Sequence, residues 1–310
     1  MRKISVLIPC YNEQENVVAI SKAVEKELAA SCPGYDWELC FIDNCSTDGT
    51  RALIRQLCLG DPRIKAIFNA RNFGQFNSPY YGITQMAGDC VISMCCDFQD
   101  PVELIPRMVR EWERGAKIVS CIKVKSDEDR LVRFLRSCYY KMIHRMSEVE
   151  QIEHFTGFGL YDKSFVDVLR GLKDPTPFLR GIVAELGFRR VDIPYRQARR
   201  AAGRSHNNWY SLFDAAMLSF TSYTKTGLRV ATIGGFVGAV LCFLAAVAYT
   251  VLKFLYWERY PAGIIPIIIV TLLIGSIQLF FTGLLGEYIM SMNNRIMNRP
   301  LVVEEERINF

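Results

Sequence analysis

The chain has 310 residues, of which 50% are hydrophobic, and it carries a net charge of +5 and 11 cysteines. This length suits one large domain or two modest ones. We expect no nucleic-acid partner. The apolar run after Lys3 is short and ends at Pro9, so we expect no N-terminal signal peptide. The cysteines lack C-x-x-C pairing, which favours free thiols in a reducing cytosol over a zinc site or a disulfide framework.

Strand and helix patterns alternate through the first part of the chain. Apolar runs predict strands at residues 4–8, 37–42, 64–68, 91–96, 117–123 and 188–193. Helical spacing predicts helices at residues 15–30, 50–58, 80–86 and 102–114. The alternation predicts an α/β fold with a parallel, doubly wound sheet, in which the polar loops after the first four strands lie at one edge. No G-x-G-x-x-G follows the first strand, which argues against an ordinary dinucleotide-binding domain.

The fourth predicted strand runs directly into acidic and amide side chains. Asp97, Gln99 and Asp100 follow the apolar residues and precede Pro101. Their hard oxygen atoms suit Mg²⁺ or Mn²⁺, and such an ion can in turn hold a diphosphate. The alternative is an acidic turn that only ends a strand.

The middle of the chain is basic. Residues 125–150 have helical spacing and carry Arg130, Arg133, Arg136, Lys141 and Arg145. A second basic stretch, residues 196–204, contains Gly203 and is predicted to be a mobile loop. A solvated helix face and a plain surface loop are the simpler interpretations, but a phosphate or lipid head group competes with them because a membrane region follows.

The last third of the chain is predicted to meet the membrane. Residues 207–227 form an amphipathic pattern typical of an interfacial helix, and residues 230–252 and 260–286 carry no charge and are long enough to span a bilayer. A helical hairpin in a protein core is the alternative. Lys and Arg residues flank both outer ends of these runs, which predicts that the catalytic part and the tail face the cytoplasm.

Six short motifs together resemble glycosyltransferase family 2. They are Ile8-Pro9-Cys10-Tyr11-Asn12-Glu13, Asp43-Asn44-Cys45-Ser46-Thr47-Asp48-Gly49-Thr50, Arg71-Asn72-Phe73-Gly74, Asp97-Phe98-Gln99-Asp100-Pro101, Leu285-Gly286-Glu287-Tyr288 and Asn298-Arg299-Pro300-Leu301. Within that family the chain is similar, over nearly its whole length, to enzymes that load a sugar onto a polyprenyl phosphate. These include dolichol-phosphate mannose synthases and the GtrB-like undecaprenyl-phosphate glucosyltransferases.

The resemblance implies an organisation and an activity. It implies a GT-A domain at residues 1–206, the interfacial helix at 207–227, two transmembrane helices within 228–290 and a cytoplasmic tail at 291–310. It further implies a multi-pass protein of the inner membrane, assembled as a homo-oligomer, with a tetramer expected. The implied reaction is an inverting transfer from a nucleotide-sugar, with UDP-hexose expected, to undecaprenyl phosphate for cell-envelope glycan synthesis.

The resemblance also assigns residues to roles. Pro9, Tyr11, Glu13, Asp43 and Arg71 would bind the donor nucleotide. Asp97 and Gln99 would hold Mg²⁺ or Mn²⁺. Arg200 would close over the phosphates, so that Asp97 and Arg200 carry the catalysis. Arg133, Arg136 and Arg200 are our expected ligands of the acceptor phosphate.

Two positions depart from the family pattern. The metal motif usually reads Asp-x-Asp, but Cys95 stands at its first position, and the usual Gly-Asp-Phe appears as Thr156-Gly157-Phe158. A lipid phosphate is already ionised at neutral pH and hardly needs a general base, so we expect an active enzyme. The alternatives are a catalytically impaired lipid-binding scaffold and a polysaccharide synthase with a sugar acceptor; the latter is disfavoured because Gln-x-x-Arg-Trp is absent.

Overall fold

The computed structural model describes residues 2–125, 152, 154–172, 174, 177–198, isolated helical positions between 233 and 255, 264–296 and 299–310. Its strands are β1 Lys3–Cys10, β2 Asp36–Asp43, β3 Ile64–Asn69, β4 Cys90–Ser93, β5 Ile118–Lys125, β6 Phe155–Asp162, β7 Arg190–Arg196 and β8 Glu304–Ile308. Its α-helices are α1 Val17–Ser31, α2 Thr50–Gly60, α3 Gly74–Gln85, α4 Ile105–Glu113, α5 Lys163–Gly171, α6 Leu179–Glu185 and α7 Ile264–Ile296, and a 3₁₀ turn, Val102–Leu104, precedes α4.

All eight of these strands form one sheet in the order β7-β5-β6-β4-β1-β2-β3-β8. The centre is parallel: β1 pairs with β2 and β4, and β2 pairs with β3. β5 and β7 are also parallel, whereas β6 and β8 run antiparallel to their neighbours. The predicted α/β class with a mostly parallel sheet is therefore confirmed.

Helices cover both faces of the sheet. Alternate residues of β1 point to opposite faces, as strand geometry requires, so that Val6 packs with α1, α2 and α4 while Leu7 packs with α3, α5 and α6. Strands covered on both faces read as continuous apolar runs, and this is why the central strands were recognisable in the sequence.

The end of β4 and the start of α3 are among the boundaries that differ from the sequence predictions. β4 ends at Ser93 rather than at residue 96. The N–H of Met94 still donates to the carbonyl of Leu7 in β1, but the N–H of Cys95 donates to the Asp100 carboxylate and not to a strand. α3 begins at Gly74, six residues before the predicted start. Pro79 lies inside this helix, and a proline normally marks a helix end, so the pattern predicted a later start.

The C-terminal residues provide an element that the sequence did not predict. β8 pairs antiparallel with β3 and becomes an edge strand of the sheet. Its residues, Glu304-Glu305-Glu306-Arg307-Ile308, are mostly charged, so no apolar pattern announced a strand.

Several predicted segments fall largely or wholly outside the described residues. These are the basic helix of residues 125–150, the basic loop from residue 199 onward, the interfacial helix at 207–227 and most of the first predicted span. Within the part of the chain that the structure describes, no helix is both long and apolar enough to cross a membrane.

Candidate active site

The loops that follow β1 to β4 meet at one edge of the sheet. Cys10 lies opposite Asp43 in the register of β1 and β2, Asp43 lies opposite Phe68 in β3, and Leu7 lies opposite Ser93 in β4. The strands therefore end side by side, and their loops form one surface. This surface gathers most of the residues for which the sequence predicts a role in binding donor and metal: Pro9, Tyr11, Glu13, Asp43, Arg71, Asp97 and Gln99.

The loops after β1 and β2 are held together by hydrogen bonds. The N–H of Asn12 donates to Ser46 Oγ over 2.8 Å, and the N–H of Thr47 donates back to Asn12 Oδ1 over 2.8 Å. The N–H of Glu13 donates to Thr50 Oγ1 at the start of α2, also over 2.8 Å. This network fixes the backbone on either side of Tyr11, a predicted nucleotide ligand.

Three loop residues at this edge adopt unusual backbone angles. Asn12, Cys45 and Phe98 have φ of 56°, 64° and 59°, although none is glycine. Such conformations persist only where surrounding contacts enforce them, and they cluster at functional sites.

Asp43, a predicted nucleotide ligand, is 0% exposed. Its carboxylate accepts from the N–H of Ser46 at 3.1 Å and lies 3.1 Å from Arg51 Nε. Burial raises the pKa of Asp43, and the contacts with Ser46 and Arg51 offset this only in part. The Asp43 carboxylate is thus a buried and only partly compensated charge at this edge of the sheet.

The loop after β3 is organised by Asn44, a residue to which sequence reasoning gave no role. Asn44 Oδ1 accepts from the N–H of Phe73 at 2.9 Å and from Asn69 Nδ2 at 3.1 Å, while its Nδ2 donates to Asn72 Oδ1 over 2.8 Å. These contacts fix the loop that carries Arg71, whose exposed guanidinium lies 4.1 Å from the ring centroid of Phe73. The only available signal was the position of Asn44 next to Asp43.

The loop after β4 presents Asp97. This side chain is buried, and its Oδ1 accepts from the N–H of Gln99 at 3.1 Å, which closes a tight turn around Phe98. Cys95, at the position where the family pattern has a carboxylate, is exposed. The protein around it and the negative charges of Asp100 and Asp97 raise the pKa of the Cys95 thiol. Mg²⁺ prefers oxygen ligands to sulfur, so Cys95 is a poor substitute for a carboxylate.

Asp100 connects the β4 loop to a distant strand. Its Oδ2 accepts from the N–H of Cys95 at 2.8 Å and its Oδ1 accepts from the Tyr195 hydroxyl at 3.0 Å. Tyr195, in β7, also packs edge-on against Phe158 with ring centroids 5.4 Å apart. Asp100 therefore joins the loop after β4 to Tyr195 in β7, which in turn packs against Phe158 in β6. Its place in an acidic cluster did not reveal this role.

The described residues contain no group of three His, Cys, Asp or Glu side chains placed to hold a metal ion. Asp97 is the predicted metal ligand at the β4 exit, whereas both oxygens of Asp100 accept hydrogen bonds within the protein. Mg²⁺ is commonly bound by one or two carboxylates together with water and substrate phosphates. The donor set fits an ion of this kind and does not fit a closed protein cage.

Gly157 lies at the same edge of the sheet. β6 is antiparallel to β4 with Gly159 opposite Ser93, so Gly157 comes next to the β4 exit. Its φ is +101°, a conformation that residues with a side chain rarely adopt, and no atom lies within 4 Å of the place a Cβ would occupy. The backbone is thus suited to glycine at the position where the family pattern has aspartate.

The predicted phosphate ligands Arg133, Arg136 and Arg200 lie outside the described residues.

The site at the strand ends of a mostly parallel sheet agrees with the sequence motifs. Residues 5–169 match Glycosyl transferase family 2. The chain belongs to this family. It is a glycosyltransferase.

Two curated relatives are similar over nearly their whole lengths. The SfII prophage-derived bactoprenol glucosyl transferase of Shigella flexneri is 31% identical over 299 residues, covering 96% of each chain. The bactoprenol glucosyl transferase of Shigella phage SfV is 30% identical, covering 98% of this chain and 99% of its own. Among solved structures, a mannosyltransferase from Pyrobaculum calidifontis in complex with GDP-Man and Mn²⁺ is 15% identical with a TM-score of 0.51, covers 96% of this chain and 88% of that chain, and supports the GT-A fold.

Proposed function

We propose that this glycosyltransferase moves a sugar, with inversion, from a nucleotide-sugar to a polyprenyl phosphate at the cytoplasmic face of the membrane. The expected donor is a UDP-hexose and the expected acceptor is undecaprenyl phosphate. The names of the two bactoprenol glucosyl transferases support a bactoprenol acceptor, and their similarity covers both the catalytic domain and the C-terminal third.

The observation that carries the acceptor class is the glycine at position 157. A sugar hydroxyl must lose a proton as it attacks, and a positioned carboxylate usually takes that proton. Gly157 offers no side chain, and its φ of +101° disfavours any replacement. A phosphate acceptor arrives ionised, so a site without this carboxylate suits it better than it suits a sugar.

On the donor side, the chain itself provides the contacts. Tyr11 follows β1 and Asp43 is the last residue of β2, and both would bind the nucleoside. Arg71 is exposed and would bind the diphosphate. Asp97 and Gln99 would hold Mg²⁺ or Mn²⁺, the latter being the ion in the Pyrobaculum structure. Such an ion supplies positive charge for the leaving diphosphate. We expect Arg200 to add a second positive charge there.

The acceptor phosphate would be bound by Arg133, Arg136 and Arg200. Arginine suits this task because its planar guanidinium donates two parallel hydrogen bonds to phosphate. We expect charge-removing substitutions at these three positions to raise the KM for lipid phosphate more than the KM for the donor. Unchanged kinetics in all three variants would contradict this assignment.

Membrane attachment is part of the proposal. Large apolar side chains along α7 are exposed, among them Ile267, Leu279 and Ile289, and exposed apolar surface of this kind supports contact with a membrane. A hairpin of two spans predicts that Leu59→Cys, on the catalytic domain, and Tyr256→Cys, in the connection, react with an impermeant thiol reagent from opposite sides. Labelled peptides identified by mass spectrometry separate these positions from native cysteines. Labelling of both positions from one side would contradict the hairpin.

The deciding experiment uses the purified full-length protein in lipid nanodiscs. It is incubated with a panel of nucleotide-sugars and either undecaprenyl phosphate or undecaprenol, and the lipids are analysed by mass spectrometry. We expect one sugar to be added to the phosphate lipid and none to the alcohol. Equal transfer to the alcohol would contradict the acceptor class. Absence of donor turnover with every sugar would favour the scaffold alternative.

A further inference from the structure

The C-terminal strand contacts the loops of the donor site. The N–H of Ala70, next to Arg71, donates to the carbonyl of Val303 over 2.9 Å, and β8 then continues along β3. Glu305 of β8 lies 2.7 Å from Arg51 Nη2, and the Nε of the same guanidinium lies 3.1 Å from Asp43. One arginine therefore bridges a predicted nucleotide ligand and the C-terminal strand.

We propose that β8 completes the donor site, with Glu305 fixing Arg51 and Arg51 in turn fixing the Asp43 carboxylate for the nucleotide. Arg51 and Glu305 are positioning residues in this scheme, because neither needs to touch the substrate. The inference rests on the proposed nucleotide-sugar donor and adds a part of the chain that lies more than 250 positions away from Asp43 in the sequence.

The burial of Asp43 makes its orientation depend on Arg51. The Asp43 side chain is 0% exposed and that of Arg51 is 20% exposed, so water screens their attraction only weakly. Burial already raises the pKa of Asp43 with the arginine in place. Without Arg51 the carboxylate would lose its counter-charge, and rotation or protonation would change the acceptor that the nucleotide meets.

Glu305 is held at a defined position even though its own side chain is 54% exposed. β8 is anchored to the domain on both sides of it: Tyr81 donates to Glu304 over 2.9 Å, and Asn309 Nδ2 donates to the carbonyls of Cys58 and Ile64 over 2.8 Å each. The strand therefore presents Glu305 to Arg51 without a large loss of chain entropy.

Arg55 provides a matched control on the same helix. It pairs with Glu306 of β8 at 2.6 Å, and its guanidinium lies over Phe68, as that of Arg51 does. Arg55 thus anchors β8 to α2 in the same way as Arg51, and no ion pair joins it to Asp43 among the described residues. The charge of Asp43 also acts on Arg55 without a direct contact, so differences between the two arginines report on the direct ion pair with Asp43 rather than on attachment of the strand.

The experiment compares Arg51→Gln with Arg55→Gln in the full-length protein. Donor KM and kcat are measured together with calorimetric binding of UDP and GDP and with melting temperature. For Arg51→Gln we expect donor KM and the Kd of the bound nucleotide to rise about tenfold, with a smaller change in kcat. For Arg55→Gln we expect a comparable fall in melting temperature and less than about a twofold change in KM.

The strand is tested by a second pair of variants. Glu305→Gln should raise donor KM about threefold, and Glu306→Gln should leave it unchanged, because only Glu305 contacts Arg51. Equal KM values for the Arg51 and Arg55 variants would overturn the inference. A wild-type protein that binds neither nucleotide would contradict the proposed donor itself, whereas wild-type binding with no difference between the arginines would refute only the role of β8.

Discussion

β2 carries one buried carboxylate, Glu38, near its start and another, Asp43, at its end, and the two differ in how well their charge is paired. At the edge away from the site, Glu38 forms salt bridges with Lys3 at 2.7 Å and with Lys65 at 2.9 Å. It also accepts a hydrogen bond from the Ser5 hydroxyl at 2.5 Å. At the site edge, Asp43 has one arginine and the N–H of Ser46.

The pKa values of the two carboxyls move in opposite directions. Burial alone would raise the pKa of Glu38, but hydrogen bonds from Lys3, Ser5 and Lys65 lower it to about 2. For Asp43 burial prevails, and the pKa is raised. One edge of the sheet therefore uses a buried charge to stabilise the fold, and the other keeps a poorly compensated charge where a ligand is expected.

The largest expected effect belongs to the site edge. Asp97→Asn should lower donor turnover by about a thousandfold, because the charge that would hold the divalent ion is lost while the shape of the side chain is kept. Turnover and Mn²⁺ affinity are measured beside Asp61→Asn, a control at the end of α2. EDTA should abolish turnover by the wild type. An undiminished Asp97→Asn variant, or full activity in EDTA, would contradict the assignment.

The next largest effect belongs to the opposite edge. A folded pKa of about 2 against an ordinary 4.5 corresponds to about 3 kcal/mol of stabilisation from Glu38. Glu38→Gln should therefore lower the melting temperature by roughly 10 °C while leaving donor KM unchanged. Glu25→Gln, at a half-exposed position, is the control and should change neither quantity.

The pH dependence of this contribution has a defined sign. Because the folded pKa of Glu38 is lowered, its stabilisation is present above about pH 4.5 and is lost as the pH falls towards about 2. The melting temperature of Glu38→Gln should consequently fall less steeply across that window than that of the wild type. Parallel curves for the two proteins would contradict the role of the lysine pairs.

A smaller effect on turnover is expected when the hydrogen bond from Tyr195 to Asp100 is removed. Tyr195→Phe removes one of the two donors to Asp100 and should loosen the β4 loop, lowering kcat about tenfold with little change in donor KM. Tyr35→Phe is the matched control, since its hydroxyl donates to the exposed Glu113. Equal kcat values for the two variants would show that Asp100 does not position the loop.

Local pattern explains which features of the fold were predictable. β1, β2 and β3 begin and end within two residues of the predicted bounds, because their apolar runs reflect burial on both faces. β8 has a charged sequence, and its place in the sheet comes from pairing with β3 and from arginines on α2. No local pattern carries that information.

The candidate site, like the fold, was predictable only where local sequence patterns carried the information. The rule that ligands bind at strand ends brought Tyr11, Asp43 and Asp97 to one edge of the sheet. The sequence could not reveal that Asp43 is buried or that Asp100 accepts a hydrogen bond from Tyr195. Both features depend on packing between elements that are far apart in the chain.

The smallest effect tests the backbone of the site edge. Gly157→Asp would restore the carboxylate of the family pattern, but φ of +101° strains any residue with a Cβ, so we expect a loss of about 1 kcal/mol of stability. Gly34→Asp is the control, because that position is equally open and has no positive φ. If the acceptor is a phosphate, the added charge repels it and cannot help as a base, so turnover should fall. A Gly157→Asp variant that is more active would show that the site can use a base and would contradict a phosphate acceptor. A variant as stable as Gly34→Asp would show that φ of +101° does not strain an aspartate at this position.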